Sequence, residues 1–281
     1  MPITDANIQA ALFGNAGAPP QNLPINKASI ANATAGFLMS LWRATGTPTQ
    51  GAIPGAAAIC TASLTGAIPR VAAGGGRHQH IAGLVAAPSI NASRLWIVDR
   101  LGHMGGLSGT VTTEQAVNLD ISGTDNNLPN RRGAADYSEV QWFIEIYTDI
   151  GTTAVNYTVR YTRADGTADQ TTAQFEQIGS TTNSRNRAGR LIPIIAANGD
   201  RIRAVQGITL AASTGTAGSF GVTALRNLCS INMGSVGSGN DRDWFGLGAP
   251  RVHDEACLAL THMPASTSTG TVVGDLLIIE G

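Results

Sequence analysis

The chain has 281 residues, of which 43% are hydrophobic and only 13% charged, with a formal net charge of −1 at pH 7. That apolar content excludes wholesale disorder, and near-zero charge without a basic run argues against a nucleic-acid partner, since phosphate binding needs clustered positive charge. The apolar runs are too short for a membrane-spanning helix, which needs about 18 residues, so no membrane partner is expected; nor does Met1-Pro2-Ile3-Thr4-Asp5 open a signal peptide.

The elements follow in chain order. Thr4 or Asp5 can cap a short helix over Asn7 to Phe13, stopped by Gly14. Pro19, Pro20 and Pro24 make residues 18–24 an extended arm, because proline lacks a donor and clashes in a helix. Asn26 to Trp42 is the best helix candidate, with Ile30, Phe37, Leu38 and Leu41 at helix-like spacing and Gly46 and Pro48 ending the run. Residues 43–90 are rich in Gly, Ala, Pro and Thr. Gly-Ala-Ile-Pro occurs there at 51–54 and at 66–69; two copies are too few for a solenoid and read as similar turns in one extended region. Gly74-Gly75-Gly76 lacks the following Gly-Lys-Ser/Thr of a phosphate cradle.

From about residue 81 the pattern becomes strand-like. Leu95 to Val98 is a compact apolar run. In Glu139 to Thr148, Val140, Trp142, Ile144 and Ile146 share one face, with Phe143 and Tyr147 breaking the polarity of the other. Val155, Tyr157, Val159 and Tyr161 alternate with polar residues, and Ala164-Asp165-Gly166-Thr167 is a turn. With Thr171 to Ile178 these segments predict an antiparallel meander. Pro193 marks an edge or bulge in Leu191 to Ile195. Ile202–Leu210, Ser219–Leu225, Leu228–Met233, Cys257–Leu260 and Val272–Ile279 complete the strands. In Leu276-Leu277-Ile278-Ile279 both faces need cover, which another subunit would supply. The fold expected is mainly β, an antiparallel β-sandwich (jelly-roll-like) preceded by an N-terminal arm with a short helical segment. The division is 1–25 arm, 26–85 helix and Gly/Ala/Pro-rich extended region, and 86–281 sandwich; removing 1–25 is expected to leave the sandwich folded.

Chemistry is sparse. Cys60, Cys229 and Cys257 are far apart with no CxxC or Cys/His spacing, and Cys257 reads as a small core residue. His78 and His80 would share a strand face and could bind metal, but no neighbouring ligand completes a site and a solvated loop is the simpler role. Asp99 near His103 could orient it for catalysis, yet Ser108 lacks a nucleophile motif, which leaves a hydrogen-bonding turn. His253 with Asp254 and Glu255 reads as a salt-bridged loop, and Arg131-Arg132 with Arg185, Arg187 and Arg190 as solvated loops. Of Trp96, Trp142 and Trp244, alternation buries Trp142, so Trp244, beside Asp241 and Asp243, is the better platform for a sugar. No catalytic, cofactor-binding or metal site is assigned, and no cofactor is expected.

Several strings taken together carry a resemblance. They are Lys27-Ala28-Ser29-Ile30-Ala31-Asn32, Ser40-Leu41-Trp42-Arg43, Gln50-Gly51-Ala52-Ile53-Pro54, Asp99 to Leu107, Arg132 to Trp142, Thr214 to Thr223 and Gly248 to Val252. Their order, from about residue 26 to the C-terminus, resembles a group of tailed-bacteriophage virion structural proteins. The resemblance implies a particle component and supplies no catalytic site. Composition agrees: charge is about half the usual ~25% share, and few charges need desolvating when neighbours dock. Lys27 is the sole lysine beside 17 arginines among the 18 basic residues; arginine's forked hydrogen bonds suit interfaces, though a GC-rich gene gives the same bias. The function expected is a non-enzymatic capsid decoration or minor capsid protein, acting in the virion through homo-oligomeric packing, with a homotrimer favoured, and touching the major capsid protein or other virion proteins. The alternatives are a neck, tail or baseplate protein, and a receptor- or carbohydrate-binding module of the particle.

Overall fold

Two-residue alternation of β-branched and aromatic side chains dictates the long strands of this chain. The computed structural model describes residues 10–12, 19–28, 30, 33–172, 177–266 and 270–281. It opens with β1 (Gln21–Lys27) and three short strands, β2 (Met39–Ser40), β3 (Gly46–Thr47) and β4 (Ala58–Ile59). The long β5 (Gln79–Pro88) and β6 (Ser93–Leu107) follow, then β7 (Gln115–Asp120) and the one-turn helix α1 (Leu128–Arg131). Next come β8 (Val140–Thr148), β9 (Val155–Arg163), β10 (Gln170–Thr171), β11 (Gln177–Ile178) and β12 (Leu191–Pro193). β13 (Ile202–Leu210), β14 (Ser219–Met233), β15 (Asn240–Asp243), α2 (Trp244–Leu247), β16 (Arg251–Val252), β17 (Leu258–Pro264) and β18 (Val272–Glu280) complete the chain.

These strands pair antiparallel in three sheets, giving the mainly β sandwich that strand spacing predicts. The central sheet runs β12-β8-β14-β6-β17-β2, with β4 also on β6. A terminal sheet, β15-β5-β18-β1-β3, holds the first and last strands side by side, with β16 also on β5. A third sheet runs β10-β9-β13-β7, with β11 on β9.

Both smaller sheets pack on one face of the central sheet. Trp142, Ile144, Phe220 and Val222 meet Tyr157, Val159, Val205 and Ile208 of the third sheet. Leu95, Ile97, Ile231 and Leu260 meet Ile25, Leu84, Leu276 and Ile278 of the terminal sheet. Burying each such side chain contributes about 1.5–3 kcal/mol. A bulge at Leu228, between Asn227 and Cys229, resets the alternation in β14. Phe220, Val222 and Ala224 therefore face the same side as Cys229, Ile231 and Met233, and one 15-residue strand serves two cores. That bulge is why its sequence reads as two strands.

Several expectations need correction. No helix forms over 26–42 among its described residues: Asn26 and Lys27 belong to β1, and Met39-Ser40 pairs with β17. The apolar spacing there instead points Ile30, Met39 and Leu41 into the terminal-sheet core. β1 crosses the boundary at residue 25 and pairs with β18 over its whole length, from Gln21 opposite Ile278 to Lys27 opposite Val272. The meander does not form either. β8 and β9 lie in different sheets, because the turn between them, anchored by Gly151 N–H donating to Thr216 O at 3.2 Å, carries the chain across the layers. The second face of the 276–279 run is covered from within the chain, where Ile279 packs with Ala11 and Ala82, and Leu277 with Leu12 and Trp244. Pro193 does lie on an edge strand. The proposed 7–13 helix falls largely outside the described residues; Ala10 to Leu12 are helical.

Candidate functional site

The opposite face of the central sheet is covered by residues 38–70, mostly loop. Gly51 and Gly66, the first residues of the two Gly-Ala-Ile-Pro copies, meet there against Trp42. A Cβ on Gly51 would lie 2.2 Å from Trp42 Cε2, and one on Gly66 would lie 2.7 Å from Gly51 Cα. Each copy needs glycine because the indole occupies the space of a side chain. Trp42 Nε1 donates to Ala52 O at 2.9 Å, and its ring covers the Arg100 guanidinium at 4.5 Å from the ring centroid.

Beneath the indole is a cluster of buried polar groups. Alternation in β8 sends Phe143, Glu145 and Tyr147 to this face, and β14 adds Thr223 between Val222 and Ala224 of the other. Arg100, 1% exposed, reaches Glu145, 0% exposed, at 2.7 Å. The same Nη2 donates to Tyr147 Oη at 2.8 Å and Thr223 Oγ1 at 3.1 Å, and Thr223 donates to Glu145 Oε2 at 2.5 Å. Burial works against the charge on Arg100, but Glu145 more than offsets it and holds the guanidinium protonated. Burial raises the Glu145 carboxyl, and Arg100 pulls it back below its ordinary value. Tyr147 is pushed up by burial and by the Glu145 charge. Beside this pair, Arg131 binds Asp99 through two bonds, Nε to Oδ2 at 3.0 Å and Nη2 to Oδ1 at 2.7 Å.

His103 joins the cluster through Arg100. Nε of Arg100 donates to His103 Nδ1 at 3.0 Å, which leaves the ring proton on Nε2. Asp99 does not orient this histidine; it takes Arg131 and the Cys257 N–H at 3.0 Å instead. Cys60 and Cys257 lie against the same groups, with no access from solvent. Burial pushes the Cys60 thiol up, but hydrogen bonds from Cys257 and His103 and the nearby positive charge bring it below its ordinary value. Cys257, hydrogen-bonded to Cys60 and buried, is pushed well above its ordinary value. The constellation resembles catalytic machinery in residue type alone. Its charges are committed to one another, and His103, at 6%, is its most exposed ionisable member.

The other candidates lie elsewhere. His80 is buried with Nδ1 at 2.9 Å from Ala249 O, and burial lowers it; His78 Nδ1 lies 2.8 Å from Arg251 Nη2. No group of three or more His, Cys, Asp or Glu fit to hold a metal occurs among the described residues. Ser108 sits in a turn with Thr110 at 3.0 Å. His253 makes no salt bridge with Asp254 or Glu255 among the described contacts. Arg70 instead gathers the carbonyls of His253 and Asp254, and burial with neighbouring arginines lowers His253 to about 4. The solvated reading fails for Arg131 and Arg190, which are buried, and Arg132 covers the Tyr137 ring at 4.8 Å, whereas Arg187, paired with Asp149 at 2.6 Å, stays partly exposed. Trp96 carries Arg94 over its ring at 4.9 Å, and buried Trp142 donates to Ile202 O at 2.9 Å. Trp244, half-buried, lines a groove of about 580 Å³ with Asn22, Val85, Asp241, Asp243 and Asp275.

The sequence reading missed the meeting of Arg100, Glu145, Cys60, Cys257 and His103. Its one visible signal was Glu145 between the aromatic Phe143 and Tyr147 on one strand face, where a charge demands a buried partner.

No protein-family model matches the chain, and no curated protein matches it. Among solved structures, a mutant VP2 protein of infectious bursal disease virus in derived T=1 particles is similar at 11% identity, over 97% of this chain and 82% of that one, with a TM-score of 0.21. The VP2 subviral particle of the same virus matches at 11% identity over 99% and 87%, with a TM-score of 0.20. The T13 particle of that virus matches at 9% identity over 97% and 82%, with a TM-score of 0.22. Superpositions at that level carry no argument about this chain.

Proposed function

We propose that this chain is a non-enzymatic structural component of a virus particle that works by packing against copies of itself and its neighbours. One observation carries the reading: charge is turned inward while large apolar side chains are left outside. Arg100, Glu145, Asp99, Arg131 and Lys27 are buried. On the outer face of the terminal sheet Val85 and Val273 are 43% and 49% exposed, and on loops at its rim Ile90 and Val236 are each 54% exposed. Exposed apolar side chains on a chain with only 13% charged residues suit an interface. The resemblance to tailed-phage virion proteins supports the same class, and within it we favour a head decoration or minor capsid role as a homotrimer.

The test is the mass of the purified protein in solution, followed by co-sedimentation with empty heads and with tails. A discrete oligomer that sediments with heads supports the decoration role. An oligomer that joins tails alone moves the protein to the neck, tail or baseplate. A monomer that joins neither overturns the structural reading. A glycan-binding role has one observation in its favour, the Trp244 groove, where an indole edge stands beside three carboxylates and Asn22. Glycan-array binding lost in Trp244→Ala would establish it, and an array without signal would remove it.

A further inference from the structure

The thiol pair beneath the cover carries an inference independent of any particle role. β17 and β4 run one after the other along the same side of β6. β17 pairs from Pro264 opposite Ser93 to Leu258 opposite Asp99, and β4 pairs Ile59 with Gly102 and Ala58 with His103. The two strands abut at Arg100 and Leu101, and a cysteine stands at each facing end. Arg100 N–H donates to Cys257 O at 2.9 Å, and Cys60 N–H donates to Leu101 O at 3.0 Å. The two cysteines thus occupy consecutive positions along one side of β6. Both side chains enter the same small core with Trp42 and Ala259 and are hydrogen-bonded to each other. Both are free thiols here.

We propose that Cys60 and Cys257 form a two-electron oxidation site, which a peroxide converts into an intrachain disulfide stapling the 38–70 cover to β17. Cys60 is the attacking thiol, because its neighbours favour the thiolate, and Cys257 resolves. The Cys60 sulfur attacks one oxygen of hydrogen peroxide. An S–O bond forms, the O–O bond breaks, and the departing hydroxide takes the Cys60 proton to become water. Cys257 sulfur then attacks Cys60 sulfur. The S–S bond forms, the S–O bond breaks, and the second hydroxide leaves as water with the Cys257 proton. Two thiols have lost two electrons and one peroxide has become two waters. Both thiols are fully buried, so peroxide, with only two heavy atoms, meets them through local opening of the 38–70 cover, which has little regular structure. Cys229 is a built-in control: it lies in the terminal-sheet core, and burial pushes its thiol up to about 12.

The experiment treats the full-length protein with hydrogen peroxide, removes the oxidant with catalase, unfolds the chain in guanidinium and counts maleimide adducts by intact mass. Untreated protein takes three adducts, one for each of its three cysteines. The expected result after treatment is one adduct, at Cys229, a non-reducing peptide map linking Cys60 to Cys257, and return to three adducts on reduction. A second variant, Cys229→Ala, should fall from two adducts to none. Three adducts after treatment, a cross-link that uses Cys229, or a dimer linked between chains would overturn the proposal.

Discussion

The two faces of the central sheet are both buried, yet they are built from opposite materials. One face is aliphatic and aromatic, and two regular sheets cover it through Trp142, Ile144, Ile231 and Leu260. The other carries Arg100, Glu145, Tyr147 and Thr223 under a cover with little regular structure. A sheet can serve as a lid through apolar area alone, because its own ladder satisfies its backbone. A cover with almost no strands lacks that ladder, and here directional bonds hold it. Ser40 N–H donates to Gly189 O at 2.6 Å, Leu41 N–H to Leu260 O at 2.9 Å, and Trp42 seats on Arg100. The polar face gives the loop a specific address where an apolar one would give only adhesion.

That contrast can be broken most directly at Glu145. Glu145→Ala leaves Arg100 buried without its counter-charge, and urea unfolding should show a loss of about 3–5 kcal/mol. The paired replacement Arg100→Met with Glu145→Leu should lose much less, since neither charge is then stranded; an equal loss would mean the pair does not act as a unit.

The apolar face also carries a histidine. By alternation His262 shares the side of Leu258 and Leu260, and burial lowers its imidazole to about 4. In the unfolded chain it titrates near its ordinary 6.5, so the unfolded chain takes up the proton first. Stability from keeping it neutral is complete above about pH 6.5 and is lost as pH falls toward 4, by ~3 kcal/mol in all. His253, also lowered to about 4, adds in the same direction. Denaturant midpoints measured from pH 7 to 4 should decline, and His262→Gln should flatten part of that decline.

A smaller effect is expected from Gly51→Ala, which drives a methyl into Trp42. Overpacking of this kind costs about 1–3 kcal/mol, and near-ultraviolet circular dichroism should report the displaced indole. The smallest effect on folding belongs to Val85→Lys combined with Val273→Lys, within about 0.5 kcal/mol for exposed positions, since Asp241 and Asp275 lie opposite Val85 and a lysine there meets no like charge. Its readout is sedimentation, where the oligomer should dissociate; an unchanged oligomer would move the interface off this face.

The apolar face was legible in the sequence because period-two alternation needs no distant information. β8, β9, β13 and β18 follow from it, and Pro193 announces its edge strand. The polar face was illegible for the converse reason. Arg100, Glu145, Cys60 and Cys257 come from four separate segments, and each reads as an ordinary loop or strand residue until pairing brings them together. Arg131 was mistaken for a solvated side chain because local composition cannot show that Asp99 waits for it. The 26–42 stretch misled because Ile30, Phe37 and Leu41 fit a helical period by spacing alone, whereas pairing with β17 and β18 claims parts of that stretch. The thiol pair left no spacing signature, since strand order sets its distance.

Lys27 lies under the same cover as the ion pairs, 1% exposed, with Nζ donating to Ala44 O at 2.8 Å and Thr49 O at 3.4 Å. It is the chain's only lysine, and burial lowers it to about 8. Apart from the α-amino group, the folded protein therefore offers no free amine to acylating dyes, amine-directed cross-linkers or lysine-linked immobilisation. In a particle mapped with such reagents this subunit would stay nearly silent, and a single lysine placed on its surface would become a unique chemical landmark.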